Sequence, residues 1–140
     1  RPSDAVLGGA SALDGWVAID DFPDAHPLPG LLVYRFDAPL FFANAEWFRQ
    51  RVRQALDSNP GVEEWIVFDF DGVGSIDTTA VEMLHDLIAE LPSLGIGVVG
   101  IARANNATID RLSRADLLKH EGPIRSFPTI NVAVREFQRG

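Results

Sequence analysis

The sequence predicts an α/β fold, with a mixed, largely parallel β-sheet and about four α-helices packed against it. Short apolar runs rich in β-branched and aromatic residues alternate with segments that have the apolar spacing of helices. Strands that alternate with helices in this way form right-handed βαβ crossovers, which produce parallel sheets. The 140 residues and 46% hydrophobic content suit one domain with a buried core.

We expect a single domain over residues 1–140, with a lead-in strand and loop at 1–29 and a βαβ-type core at 30–140. Glycine, proline and acidic residues crowd the lead-in, which is typical of a long loop, and only Trp16 to Ile19 is predicted to be a strand there. Because the first residue is Arg1 and not Met, we expect the chain to be a piece of a longer protein.

The core is predicted to begin with a strand at Leu31 to Phe36. Asn44 suits the N-cap of a first helix, where its side chain would accept from free backbone N–H groups. That helix would end at Asn59-Pro60-Gly61, and Trp65 to Phe70 is predicted to be a strand buried on both faces. The apolar stripe of the helix consists of Phe48, Val52, Ala55 and Leu56.

A second helix is predicted to follow, capped by Asp77 or Thr78 and ended by Pro92 and Gly95. Its apolar stripe places Thr79 about 160° from Val81 at 100° per residue, on the side of the acidic residues of this helix. Thr79 is therefore expected to carry a solvent-facing hydroxyl in the first helical turn.

Three further elements are predicted in the last third of the chain. Ile96 to Ile101 has the composition of a strand, and Asn105 suits the start of a third, more polar helix. A short strand is predicted at Ile124 to Phe127, and Thr129 would cap a final amphipathic helix.

The charge balance excludes several classes of function. The 20 acidic and 12 basic residues give a net charge of −8, which disfavours a nucleic-acid partner because phosphate contacts need a basic surface. The chain has no cysteine for disulfides or thiolate chemistry, and its histidines show no metal-ligand spacing. Its apolar runs are shorter than the roughly 18–20 residues that span a bilayer, so we expect no membrane insertion of the domain. The net charge is negative over residues 1–102 and positive over residues 103–140. This asymmetry indicates that one end of the domain faces a partner.

Two motifs suggest nucleotide or phosphate chemistry. Residues 95–100 match the GxGxxG motif, but these glycines follow a predicted helix and precede a predicted strand, whereas a dinucleotide site needs the reverse order. We therefore interpret Gly95 as the end of the helix and Gly97 as a position of close packing. Asp69 and Asp71, at the end of a strand, resemble the motif of haloacid-dehalogenase phosphatases.

The resemblance to these phosphatases implies a nucleophilic Asp69, an Asp71 acting as general acid/base, and a magnesium ion. The rest of that apparatus is missing from the sequence. A fixed cation is needed for phosphoryl transfer, and the only lysine, Lys119, falls in a predicted loop. No second acidic pair follows a later strand. We therefore expect no phosphatase activity and no metal site, and this enzyme remains an alternative interpretation.

Two stretches carry a second resemblance. The run FDFDGVGSIDTTA at residues 68–80 resembles the signature of STAS domains, in which a hydrophobic strand leads to an Asp-Ser/Thr-Ser/Thr-Gly turn that opens a helix. The run VYRFDAPLFFANA at residues 33–45 resembles the more specific signature of STAS domains in bacterial SulP-type sulfate transporters. Ala80 and Thr79 depart from the usual Gly and Ser of the family.

This resemblance implies a STAS-type fold and a non-enzymatic regulatory domain on the cytoplasmic face of the cell membrane, as part of a secondary sulfate or anion transporter. The implied partner is the membrane domain of the same transporter, with a second copy or a regulatory protein as further candidates. Free anti-sigma-factor antagonists share the fold and are the alternative, although they lack the segment from Pro39 to Ala45. Their phosphorylated position matches Thr79, which is therefore the candidate phosphosite, within the turn formed by Asp77 and Thr78.

The resemblance also suggests weak binding of GDP or GTP, with no cofactor required. The candidate residues are Ser75, Asp77, Thr78 and Thr79, since amides at a helix N-terminus suit a phosphate. The carboxylates of Asp69, Asp71 and Asp77 oppose a polyphosphate, and Arg103 and Arg111 would offset them only if the fold brings these arginines near.

The first helix also provides a candidate interface. Trp47 lies about 130° from the centre of the apolar stripe of the first helix, so it is predicted to be exposed beside Arg51. Such a tryptophan is typical of a contact surface. Glu82 and Asp86, on the acidic face of the second helix, are further candidates for this interface.

Overall fold

One β-sheet runs through the computed structural model, which describes residues 2–10, 13–58, 63–118 and 123–140. The helix end predicted at Asn59-Pro60-Gly61 and the loop residue Lys119 lie outside the described residues. The strands are Ser3–Ala10 (β1), Leu13–Ala18 (β2), Ala25–His26 (β3), Leu31–Asp37 (β4), Trp65–Asp69 (β5), Val98–Ala102 (β6) and Ile124–Phe127 (β7).

Among the residues that the structure describes, four α-helices connect and flank these strands, as predicted. Within the part of the chain that the structure describes, none of them has the length and apolar character needed to cross a bilayer. A short 3₁₀ turn at Leu91–Leu94 extends the second helix. The helices are Ala45–Asp57 (α1), Thr78–Glu90 (α2), Asn106–Arg114 (α3) and Ile130–Gln138 (α4).

The sheet is mixed and largely parallel, which confirms the predicted fold class. Its strand order is β2-β1-β4-β5-β6-β7, and β4 to β7 form three consecutive parallel pairs. β1 pairs antiparallel with β2, β3 and β4. The parallel strands therefore present their carboxyl ends at one edge, where the loops before α1, α2 and α3 meet.

The beginning of the chain differs from the prediction. Residues 3–10 and 13–18 form two strands of the sheet, and β1 lies between β2 and β4, where the sequence predicts a lead-in with one short strand. Gly8 permits a close approach here, because a Cβ at this position would lie 2.8 Å from the backbone of His26. The strands β1 and β2 are thus part of the same sheet as the core strands.

The two faces of the sheet carry different helices. Leu32, Tyr34 and Phe68 point to a core formed with α1, α2 and α3, whereas Val33 and Val67 point to a second core formed with α4. This alternation follows from the period of two in a strand. It also confirms that β5 is buried on both faces.

The GxGxxG run has structural roles and forms no phosphate loop. Gly95 has a φ of +93° at the end of the 3₁₀ turn, as expected for a glycine that ends a helix. The close-packed glycine is Gly100 and not Gly97, because a Cβ on Gly100 would lie 2.9 Å from the ring of Phe127. Gly97 has only an ordinary contact, with its nearest neighbour at 3.9 Å.

Three of the predicted N-caps are confirmed, and the fourth, Asn44, occupies the N-cap position of α1 without the predicted side-chain hydrogen bond. Asp77, Asn105 and Thr129 each accept a hydrogen bond from a first-turn N–H group, at 2.8, 2.8 and 3.1 Å. Asn44 makes no such bond to α1. Its side chain instead accepts from the N–H of Phe41 and donates to the carbonyl of Pro39, so it closes the loop that precedes the helix.

Candidate functional site: the amino ends of α2 and α3

The turn before α2 is held by the side chain of Asp77. One carboxylate oxygen accepts from the N–H of Ala80 at 2.8 Å, and the other accepts from the N–H of Phe42 at 3.0 Å. A carboxylate at this position also interacts favourably with the helix dipole. Asp77 therefore joins the start of α2 to the loop before α1.

The two sequence stretches that carry the resemblance lie against each other. Leu40 pairs with Ile76 in an isolated parallel bridge. The N–H of Leu40 donates to the carbonyl of Ser75 at 2.9 Å, and the N–H of Asp77 donates to the carbonyl of Leu40 at 3.0 Å. This long-range contact is not evident from local patterns in the sequence.

The candidate phosphosite lies where the helical spacing predicts it. Thr79 is exposed in the first turn of α2, and Glu82 and Asp86 are exposed farther along the same helix. Thr78 is also exposed, but it faces α3 and lines a cleft there. The hydroxyl groups of Thr78 and Thr79 therefore lie on two different surfaces.

An open cleft of about 560 Å³ separates the amino-terminal part of α2 from α3. Ser75 and Thr78 line it on one side, and Thr108, Arg111 and Arg114 line it on the other. The four residues predicted for nucleotide binding are thus divided. Ser75 and Thr78 lie in the cleft wall, whereas Asp77 and Thr79 do not.

The cleft contains polar groups suited to an anion. Thr108 is 1% exposed, and its hydroxyl oxygen has no hydrogen-bond partner among the described residues. Arg111 is exposed and forms no ion pair in the part of the chain that the structure describes, whereas Arg114 pairs with Asp110 at 3.0 Å. The first-turn N–H groups of α2 and α3 add positive potential at the same place. Arg111 was a candidate cation on the sequence alone, and the structure places it in this cleft. Nothing in the sequence pointed to Thr108 or Arg114.

Arg103 pairs with Asp69 and does not offset the acidic residues for a bound nucleotide, the role considered for it from the sequence. Its guanidinium forms two hydrogen bonds to Asp69, at 3.0 and 2.6 Å, and lies 3.9 Å from Asp71. The side chain of Asp69 is fully buried, and its hydrogen bonds raise the pKa of Arg103 above the ordinary value. Arg103 therefore neutralises a buried charge of the sheet and does not face the cleft.

The same pairing bears on the phosphatase alternative. Both carboxylate oxygens of Asp69 accept hydrogen bonds from Arg103, and one also accepts from the N–H of Asp71. A nucleophilic carboxylate needs a free oxygen facing its substrate, and the side chain of Asp69 is 0% exposed. Among the described residues, no three acidic or histidine side chains converge as metal ligands.

Trp47 is half-buried, and the prediction that it is exposed is wrong. Its ring lies 5.9 Å from the ring of Phe36, and the guanidinium of Arg51 covers it at 5.5 Å. Arg51 also forms two hydrogen bonds to Asp4. Helical spacing could not reveal this cover, because Asp4 belongs to β1, a strand that the sequence did not predict.

Comparison with known proteins identifies relatives of the chain. A probable sulfate transporter of Mycobacterium tuberculosis is 42% identical over 99% of this chain, and sulfate transporter 3.1 of Arabidopsis thaliana is 26% identical over 96%. The chain spans about a quarter of the length of these relatives, 25% and 22%.

The murine Slc26a9 anion transporter in its inward-facing state superposes on the whole chain with a TM-score of 0.87 at 21% identity, over 23% of its own length. The STAS domain of a SulP transporter from Vibrio cholerae matches 87% of this chain and 94% of its own with a TM-score of 0.62 at 22% identity. These likenesses confirm the predicted fold.

A family model covers most of the described sheet and helices. The STAS domain family matches residues 22–133, which include the Asp77 turn, the loop before α1 and both walls of the cleft. The strand β1 lies outside the matched range although it pairs with β2, β3 and β4 of the sheet. The chain belongs to the STAS domain family.

Proposed function

We propose that the chain is the cytoplasmic regulatory domain of a SulP-type secondary sulfate transporter of the cell membrane, with no catalysis of its own. Its relatives at 42% and 26% identity are sulfate transporters, and it spans only a quarter of their length. The remaining three quarters of such a protein would contain the membrane domain, which is the natural partner. The loop from Pro39 to Ala45 favours this assignment over a free anti-sigma-factor antagonist.

The cleft between α2 and α3 carries the finer proposal, which is weak binding of the phosphate end of GDP or GTP. A phosphate placed there would accept from first-turn N–H groups of α2 and from the guanidinium of Arg111, which is exposed in the wall of the cleft. The cleft volume of about 560 Å³ is in the usual range of small-molecule sites. Because the pocket is open and Asp110 lies in its wall, the affinity is expected to be low.

The carboxylates around α2 oppose this anion less than their number suggests. Asp69 is neutralised by Arg103, and Asp77 accepts hydrogen bonds with both of its oxygens. Asp71 is exposed to water, which screens its charge. Arg111 therefore contributes a cation that these acids do not cancel.

Replacing Arg111 with alanine is expected to weaken binding of GDP or GTP about tenfold or more, because a hydrogen bond to a charged group contributes roughly 1.5–3 kcal/mol. The measurement is a nuclear magnetic resonance titration of the domain with millimolar nucleotide, following the amides of residues 74–80 and 106–111. Arg135→Ala, which removes an exposed arginine of α4 outside the cleft, is the matched control and should bind like the unchanged domain. Equal shifts in the Arg111→Ala variant would contradict the proposed site.

Regulation at Thr79 is the second part of the proposal. Thr79→Glu is expected to leave the melting temperature almost unchanged, because attraction to the helix dipole, about 0.3–1 kcal/mol, offsets repulsion from Asp77 and Glu82. The effect should appear in sulfate uptake by the full-length transporter, where an unmatched charge at a contact surface weakens association. Ala89→Glu, at an exposed position near the other end of α2, is the control. A large loss of stability with normal uptake would show that Thr79 has only a structural role.

A further inference from the structure

A second groove lies beside the carboxyl end of α3. Its volume is about 350 Å³, and it is lined by α2 and by the residues that follow α3. Val81 and Leu117 are buried and supply apolar surface, whereas Glu82, His85 and Asp86 are exposed along the same groove. The groove therefore combines apolar side chains with hydrogen-bond acceptors.

This groove adjoins the cleft between α2 and α3. Val81 and Ala115 line both of them. Along α2 the cleft begins at Thr78 and the groove ends at Asp86, a distance of about 12 Å at 1.5 Å per residue. A ligand that passes Val81 would occupy both, and this length suits the phosphates, sugar and base of one nucleotide.

The two ends of this combined depression differ in charge. At the amino ends of α2 and α3, the first-turn N–H groups and the guanidinium of Arg111 favour an anion. At the other end, the carboxylates of Glu82 and Asp86 repel an anion and accept hydrogen bonds from N–H donors. A ligand that suits both ends is negative at one end and carries N–H donors at the other.

We propose that this groove is the base subsite of the nucleotide cleft and that Glu82 selects guanine over adenine. This inference rests on the proposed function, because phosphates bound at the amino ends of the helices place the base beyond Val81. The Watson–Crick edge of guanine carries two adjacent N–H donors, on N1 and on the 2-amino group, which match the two oxygens of a carboxylate. Adenine offers only its 6-amino donor on that edge, so it forms one such bond where guanine forms two.

Glu82 is the carboxylate best placed for this contact. At 100° per residue it lies about 40° around α2 from Thr78, whereas Asp86 lies about 80° from Thr78 and so farther from the cleft. His85 lies about 20° from Thr78 on the same count. Its imidazole ring is exposed in the groove, where it can stack on a purine that rests against Val81 and Leu117.

The test compares three ligands that share the phosphate end. GDP, ADP and inorganic pyrophosphate are titrated into the domain, and Kd is obtained from nuclear magnetic resonance shifts. We expect the amides of residues 82–86 and 115–117 to shift with GDP and not with pyrophosphate. GDP is expected to bind about fivefold more tightly than ADP, because it makes one more hydrogen bond to a charged group. Nuclear Overhauser effects from H8 of guanine to the methyl groups of Val81 and Leu117 locate the base.

The Glu82→Gln variant separates base recognition from phosphate binding. Its amide has one acceptor oxygen in place of two, so GDP should bind about fivefold more weakly and lose its advantage over ADP. ADP and pyrophosphate should bind no more weakly than before. Glu46→Gln makes the same change at an exposed glutamate of α1 outside the groove, and it should keep the preference for GDP. Because both positions are exposed, the melting temperatures of the two variants should match that of the unchanged domain.

The outcomes distinguish this inference from the proposed function. An affinity for ADP equal to that for GDP, or a preference for GDP that persists in Glu82→Gln, would overturn selection by Glu82. Shifts with GDP confined to residues 74–80 and 106–111 would overturn the base subsite and leave the proposed phosphate site standing. Failure of all three ligands to bind would contradict the proposed phosphate site, and this inference with it.

Discussion

Replacing Arg103 with alanine is expected to lower the free energy of unfolding by about 3–5 kcal/mol, because it leaves the fully buried carboxylate of Asp69 without its counter-ion. Both oxygens of Asp69 accept hydrogen bonds from Arg103, and only one of them has a second donor, the N–H of Asp71. The carboxylate lies at the end of β5, where water does not reach it. Urea denaturation of the domain measures the change.

Two control variants separate the ion pair from other contributions. Arg114→Ala removes an arginine whose pair with Asp110 is largely exposed, and it should change the stability by less than about 1 kcal/mol. Arg103 has a φ of +60°, so Arg103→Gly should be less destabilising than Arg103→Ala by about 1 kcal/mol. If Arg103→Ala were as mild as Arg114→Ala, Asp69 would not depend on this arginine.

Phe48→Ala is expected to destabilise the domain by about 3–5 kcal/mol, the usual effect of removing a buried aromatic side chain. Phe48 is 0% exposed at the centre of the core between the sheet and α1. Its ring centroid lies 5.1–6.2 Å from those of Tyr34, Phe36, Phe68 and Phe70.

Phe42→Ala is the matched control for Phe48→Ala, because the same ring is removed from a side chain that is 72% exposed. We expect its stability to lie within about 0.5 kcal/mol of the unchanged domain. If Phe48→Ala unfolds the domain altogether, Phe48→Leu supplies a measurable smaller loss, since it keeps most of the apolar volume. Similar stabilities for Phe48→Ala and Phe42→Ala would contradict the packing described here.

The parallel half of the fold was predictable because its signals are local. The apolar run at Trp65 is continuous since both faces of β5 are covered, and Asp77, Asn105 and Thr129 are residues that cap helices through their own short side chains. Each of these features needs only neighbouring residues, so it is visible in the sequence alone. The exposure of Thr79 follows from the same local periodicity.

The first strand could not be predicted in this way. β1 has the sequence SDAVLGGA, in which small residues replace the β-branched residues typical of strands. It is stabilised by pairing with β2 and β4, and Gly8 is needed for the approach of His26. These are contacts between distant parts of the chain, which override local propensity.

The candidate site was predictable only in part, for a related reason. The turn before α2 carries a signature, but its cleft is completed by α3, whose position depends on the packing of the whole sheet. Arg111 could be named as a candidate cation, whereas the orientation of Arg103 toward Asp69 and the buried hydroxyl of Thr108 required the structure. The side chain of Asn44 likewise bonds the loop of Phe41 and not the helix, because that loop returns to the Asp77 turn.

The most direct test of the proposed regulatory role is sulfate uptake by the full-length transporter in proteoliposomes, with GDP or GTP supplied on the side of this domain. We expect millimolar nucleotide to change the uptake rate of the unchanged transporter and of Arg135→Ala, and to leave that of Arg111→Ala unchanged. Uptake that does not respond to nucleotide, or that responds equally in the Arg111→Ala variant, would contradict regulation through the cleft between α2 and α3.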